Sequence, residues 1–152
     1  ERRVEGGGAL WRVPVCVAAV IPTGQTVRLE KHCTVLATRE ATLDLDGKDA
    51  CPAFVYANAG ETGYYRVRIA AEDLKVIAPF LQQLPERERF GIVSNTWAAV
   101  RAGRLAVSLF FELCLRLKDD PSRLVWTEML DALRAIAMAW TDCPTTRAAV
   151  SG

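Results

Sequence analysis

The first place to look for chemistry is the single histidine, His32, which sits beside a cysteine, Cys33. An imidazole can activate a thiolate nucleophile, and the two side chains are both metal ligands. The arrangement fails on geometry. Neighbours on a strand point to opposite faces, so they cannot share a proton or a ligand, and His32 reads as a strand-end histidine. Ser94, Ser108 and Ser122 fall in helical patterns without a histidine base, which argues against serine hydrolysis. Gly6-Gly7-Gly8 lacks the Lys-Ser/Thr and the following helix of a phosphate loop, and reads as a flexible segment. Arg87-Glu88-Arg89 reads as a solvated face at a helix start. Tyr64, Tyr65 and Arg66, and the tryptophans Trp11, Trp97, Trp126 and Trp140, read as packing groups. No site-forming constellation emerges.

Composition narrows the partners. At 152 residues the chain is one ordinary domain or two small ones, and 51% hydrophobic with 24% charged residues describes a globular chain. Nineteen basic against eighteen acidic residues give a net charge of +1, so nothing recommends nucleic acid or an anionic membrane. The longest apolar run, Val13 to Ile21, is broken by Pro14 and falls short of the roughly 20 residues that span a bilayer. Five cysteines (Cys16, Cys33, Cys51, Cys114 and Cys143) form an odd set without paired spacing. They predict small buried thiols in a reduced, cytoplasmic protein, without a disulfide framework. The opening Glu-Arg-Arg has no initiator Met and no signal peptide, and reads as a chain cut from a longer one.

The elements that would position these residues change character along the chain. Residues 9–21 alternate as a strand, and Pro14 places it at an edge or on a bulge. Gln25 to Glu30, Cys33 to Thr38, Ala41 to Leu45 and Ala53 to Ala57 read as further strands, with turns at Pro22-Thr23-Gly24 and Asp46-Gly47. Asn58, Gly60 and Gly63 form a tight connection. Tyr64 to Ile69 then alternates, with Tyr65, Val67 and Ile69 inward and Tyr64, Arg66 and Arg68 outward. Six short strands at this spacing suggest a β-sandwich.

From Ala71 the period is helical. Leu74, Ile77, Ala78 and Leu81 form one stripe, and Phe90, Val93, Trp97 and Val100 form another that ends at Gly103. Phe110, Leu113, Cys114 and Leu117 form the next. Asp120-Pro121 caps a last helix carrying Val125, Met129, Ala132 or Leu133, Ile136 and Trp140. Short loops make these antiparallel helical hairpins, and the tail from Pro144 should fray. The predicted division is a sandwich over residues 1–70 and helices over 71–152, an α+β chain. A piece of that size buries only about 60% of its unfolded surface, so the halves are expected to pack together.

Asn58 with a short turn and Gly63-Tyr64-Tyr65-Arg66-Val67 resembles the end of the small immunoglobulin-like β-sandwich in zinc aminopeptidases of the aminopeptidase N family (gluzincins). Leu10-Trp11-Arg12-Val13-Pro14-Val15 is similar to that family's Trp-x-x-Pro strand, and Cys51 to Asn58 to its last strand. Arg87 to Phe90 through Ala102 to Leu105 is similar to the opening helices of its C-terminal, solenoid-like domain. The resemblance covers about residues 10 to 118. It implies structural roles for Trp11, Pro14, Asn58, Gly63, Tyr64, Tyr65, Arg66 and Val67. It further implies a parent hydrolase that removes N-terminal residues from peptides by zinc-activated water, with this portion spacing and supporting the helical lid over the catalytic domain. Neither His-Glu-x-x-His nor Gly-x-Met-Glu-Asn is present, so no catalytic, cofactor or zinc-binding residue is expected in this chain. The implied partners are the parent's catalytic domain and its peptide substrates, with no nucleic acid and no membrane. A homodimer is expected through the first strand's edge or the last helix face. The competing reading is a non-enzymatic binding or scaffold module, and an upstream His-Glu-x-x-His separates the two.

Overall fold

The alternating residues at the start of the chain fold as one long hairpin. The computed structural model describes residues 11–45 and 51–141, with side chains through 139. Strand β1 (Val13–Thr23) pairs antiparallel with β2 (Thr26–Leu36), from Val13 opposite Leu36 to Thr23 opposite Thr26. The Thr23 and Thr26 hydroxyls, 3.0 Å apart, close the base of the turn. Strand β3 (Phe54–Tyr56) joins the other side of β1, with Ala18 opposite Tyr56 and Val20 opposite Phe54. The sheet order is β2-β1-β3, antiparallel throughout.

Two expectations for β1 are corrected. It is the central strand instead of an edge, and it is buried without a break from Val17 to Ile21. Pro14 is tolerated because β3 reaches only Ala18 to Val20. Cys16 and Cys33 stand opposite each other with Cα atoms 4.0 Å apart, the narrow spacing of a non-hydrogen-bonded pair. Pro14 shares that phase, so its nitrogen faces away from β2 and the ladder loses no bond. The second correction is covalent. Cys16 and Cys33 form a disulfide, so the expectation of unpaired thiols fails for this pair, and so does the argument for a cytoplasmic compartment built on it. Cys51 and Cys114 are free, and Cys143 lies outside the described residues.

Among the described residues the sheet has three strands, not the six of a sandwich. Ala41 to Leu45 carries no regular structure, and neither does Tyr64 to Ile69. The latter segment still alternates: Tyr64, Arg66 and Arg68 are exposed while Tyr65, Val67 and Ile69 are shielded. Period-two burial reports an extended chain with one covered face, and that does not require a neighbouring strand. The Asp46-Gly47 turn, the Gly6-Gly7-Gly8 segment, the Trp140 side chain and the tail from Pro144 lie outside the described residues.

The chain divides into two units, Glu1–Tyr65 and Arg66–Gly152. The second is helical: α1 (Ala71–Ile77), a 3-10 segment (Ala78–Gln83), α2 (Glu86–Arg101), α3 (Val107–Arg116) and α4 (Arg123–Thr141). Pro79, two residues past the end of α1, cannot donate to its ladder, and the chain continues as the 3-10 segment. Helix α2 ends in a Schellman motif. Gly103 takes φ 67°, its N–H donates to Val100 O at 2.9 Å, and that of Arg104 to Ala99 O at 2.9 Å. Helix α4 starts later than Asp120-Pro121 suggested. Its cap is Ser122, whose Oγ accepts the Val125 N–H at 3.2 Å, while Asp120 Oδ1 accepts the Ser122 N–H at 2.8 Å. Phe110, Val125, Met129, Ala132 and Ile136 are buried, as are Ile92 and Val93 of α2, which packs on α3 and α4. No helix among the described residues is long and apolar enough to cross a membrane.

Candidate functional site

In the first unit the Asn58 loop is closed by one side chain. Asn58 is fully buried, and its amide uses both ends. Its Oδ1 accepts the Gly63 N–H at 2.8 Å, and its Nδ2 donates to Gly63 O at 3.0 Å and to Glu61 Oε2 at 3.3 Å. The Glu61 N–H returns to Asn58 O at 2.9 Å, closing the 3-10 turn Ala59–Glu61. The hydroxyl of Tyr56, itself fully buried, donates to the Glu61 carboxylate.

Tyr65 completes the sheet where β3 stops. Its hydroxyl donates to Ala57 O at 2.8 Å and takes the backbone N–H of Cys16, which faces away from β2. Burial pushes the Tyr65 phenol above its ordinary value; the Cys16 N–H opposes that rise and the Glu61 charge adds to it. The group therefore stays protonated, and a donor, well into the alkaline range. Tyr64 is fully exposed and makes none of these bonds. Tyr64→Ala is expected to change stability by no more than about 0.5 kcal/mol, as read by urea unfolding. Trp11 is 77% exposed, outside the core the sequence assigned to it.

In the second unit Arg66 and Val67 hold α2. The Arg66 guanidinium donates to Ser94 Oγ at 2.7 Å, and the Val67 N–H to Asn95 Oδ1 at 3.0 Å. Asn95 is buried, and its Nδ2 donates to Gly91 O at 2.8 Å. A backbone donor that a strand would have paired is satisfied here by a helix side chain.

A buried ion pair joins the starts of α2 and α4. Arg89 Nε and Nη2 donate to the two Asp120 oxygens at 2.6 and 3.0 Å, and Nη1 donates to Leu84 O at 2.5 Å. Asp120 also holds the Ser122 N–H, Ser122 Oγ bonds Glu86 Oε1 at 2.5 Å, and Trp126 Nε1 donates to Asp120 O at 2.8 Å. The expectation of a solvated Arg87-Glu88-Arg89 face is therefore corrected, since Glu88 and Arg89 are buried. Every group in this clamp serves as donor or acceptor to another, so it locks two helix starts instead of presenting chemistry.

The remaining reactive groups are scattered. His32 Nε2 lies 3.9 Å from Glu30 Oε2, Glu30 Oε1 pairs with Arg28 at 3.0 Å, and the neighbouring Cys33 is tied to Cys16. Burial pushes the Cys114 thiol up to about 11, so it is protonated at neutral pH and a poor nucleophile. A groove of about 220 Å3 between the Leu74–Leu81 segment and α3 is lined by apolar residues such as Leu81 and Leu113 together with Lys75, Glu112 and Arg116. Its lining contains no Ser, Thr, Cys or His. Among the described residues no three His, Cys, Asp or Glu side chains converge to hold a metal ion.

What the geometry describes is thus a set of clamps within each unit. A sequence model of the family described as ERAP1-like C-terminal domain matches residues 54–151. The chain belongs to that family. The ERAP1-like C-terminal domain match begins at Phe54, the first residue of β3, and takes in the Asn58 loop, the Arg66 and Val67 anchors and the Arg89–Asp120 clamp. Trp11 and Pro14 lie ahead of it. The chain is also similar to the puromycin-sensitive aminopeptidase of Caenorhabditis elegans, 26% identical over 118 residues. That alignment covers 76% of this chain and 12% of the relative's length. For this member of the ERAP1-like C-terminal domain family, the clamp was missed by sequence reasoning. Its signal was Arg89 standing three and four residues before Ile92 and Val93, on the buried face of α2.

Proposed function

We propose that this chain is a non-catalytic portion of a zinc aminopeptidase, a structural support for a catalytic domain carried elsewhere in the polypeptide. The observation that carries this reading is the family match over residues 54–151, in a chain whose only histidine is His32. A His-Glu-x-x-His helix needs two histidines one turn apart, so these residues do not fit the zinc of such an enzyme. The parent's peptide substrates and its zinc-activated water belong to the catalytic domain. The first unit corresponds to part of the sandwich, and the second to the opening hairpins of the helical stack that supports the lid. What the chain supplies is rigidity: Asn58 and Tyr65 stiffen the first unit, and Arg89 and Asp120 the second.

The isolated chain is expected neither to bind zinc stoichiometrically nor to cleave aminoacyl-anilides. Metal analysis with a peptidase assay checks this. One tightly held zinc per chain, or turnover abolished by a chelator, would overturn it. Leu115, Leu124, Leu130 and Met138 are exposed on α3 and α4, so the isolated chain is also expected to self-associate. Sedimentation across a concentration series checks that; a monomer at high micromolar concentration contradicts it.

A further inference from the structure

We propose that the Cys16–Cys33 disulfide is a thiol-exchange site, attacked at the Cys33 sulfur by a low-molecular-weight thiol, and that its reduction loosens the Tyr65 anchor. Three observations in the first unit carry this. Cys33 is an exposed residue while Cys16 is half-buried, which favours approach of a thiolate from the Cys33 side. The cross-link also joins residues that the ladder already holds opposite each other, within a register that runs unbroken from Val13–Leu36 to Thr23–Thr26. The hairpin therefore persists without it, and both redox states can share one fold. Finally, the backbone N–H of Cys16 donates to the Tyr65 hydroxyl, which in turn holds Ala57 O. The bond thus stiffens β1 at the residue on which Tyr65 rests.

The exchange is balanced by two molecules of thiol. The first thiolate forms a mixed disulfide with Cys33 Sγ, the Cys16–Cys33 bond breaks, and its electron pair leaves with Cys16 as a thiolate that takes a proton from water. The second thiolate attacks the external sulfur of the adduct, Cys33 leaves as a thiolate that takes a proton from water, and the two external thiols end as a disulfide. The protein gains two electrons and two protons, and the two thiols supply them.

The test is to incubate the chain with graded reduced and oxidised glutathione in native buffer, quench with acid, and map the products by peptide mass spectrometry. Amide hydrogen exchange is then followed in the oxidised and reduced forms. The expected result is reversible reduction without denaturant, with the glutathione adduct on Cys33. Exchange at Cys16 should be at least tenfold faster in the reduced form, with none of that change at Ile92 in α2. A bond reduced only in denaturant, an adduct on Cys16, or unchanged exchange at Cys16 overturns the proposal. The C16S/C33S variant should fold with the same far-UV spectrum; failure to fold shows an obligatory structural cross-link and also overturns it.

Discussion

Arg89→Ala is expected to lower the unfolding free energy by about 3–5 kcal/mol, the cost of stranding a buried charge. The Arg89 side chain is 10% exposed and that of Asp120 only 1%, so water cannot replace the lost partner. Asp120→Ala should cost at least as much. It leaves the guanidinium with Leu84 O alone and also releases the Ser122 N–H that starts α4. Replacing both, as in R89M/D120L, should recover part of the loss, because buried pairs stabilise little relative to apolar packing. The recovery stays incomplete because Ser122 keeps an orphaned donor. Urea unfolding of the single variants and the double variant measures all three. Losses under 1 kcal/mol for the single variants would show that the pair is solvated in solution.

Gly63→Ala should be the most damaging single methyl in the first unit, at about 2–4 kcal/mol. A Cβ on Gly63 would stand 2.0 Å from Cε1 of Tyr65 and 2.7 Å from Cδ1 and Cζ. Gly63 is not among the positive-φ residues, so an alanine fits the backbone and only the ring objects. The ring must swing away, and its hydroxyl then abandons Ala57 O and the Cys16 N–H. With the ring gone the methyl has room, so G63A/Y65A should be no less stable than Y65A. Additive losses in that cycle would place the strain in the Asn58 bonds to Gly63 instead.

The helical half was legible where its stripes are apolar and its ends marked. Of the α2 stripe Phe90, Val93, Trp97 and Val100, however, only Val93 is buried, because polar groups such as Arg89 and Asn95 take the rest of the covered face. Gly103 ends α2 where the pattern placed it, and Ala132 is the buried member of the Ala132/Leu133 pair. The sheet was less legible. Pro14 suggested an edge, because no sequence shows how short the second neighbour of a strand will be; β3 stops short of Pro14, and that decides the matter. Tyr64 to Ile69 alternates as a strand would, yet its donors go to side chains such as Asn95. The disulfide could have been found. Cys16 and Cys33 stand equally far from the Thr23–Thr26 turn, so fixing the turn pairs them, whereas counting cysteines does not. Arg89 and Asp120 are far apart in sequence, and only the packing of α2 on α4 brings them together. Their pairing was beyond a local reading.

The most direct test of the structural-support reading compares the full-length protein with this chain, side by side, for bound zinc and for aminoacyl-anilide hydrolysis. The account predicts stoichiometric zinc and chelator-sensitive turnover in the full-length protein, and neither in the chain. A full-length protein that holds no zinc and turns over no substrate would contradict it, and would make this fold part of a scaffold.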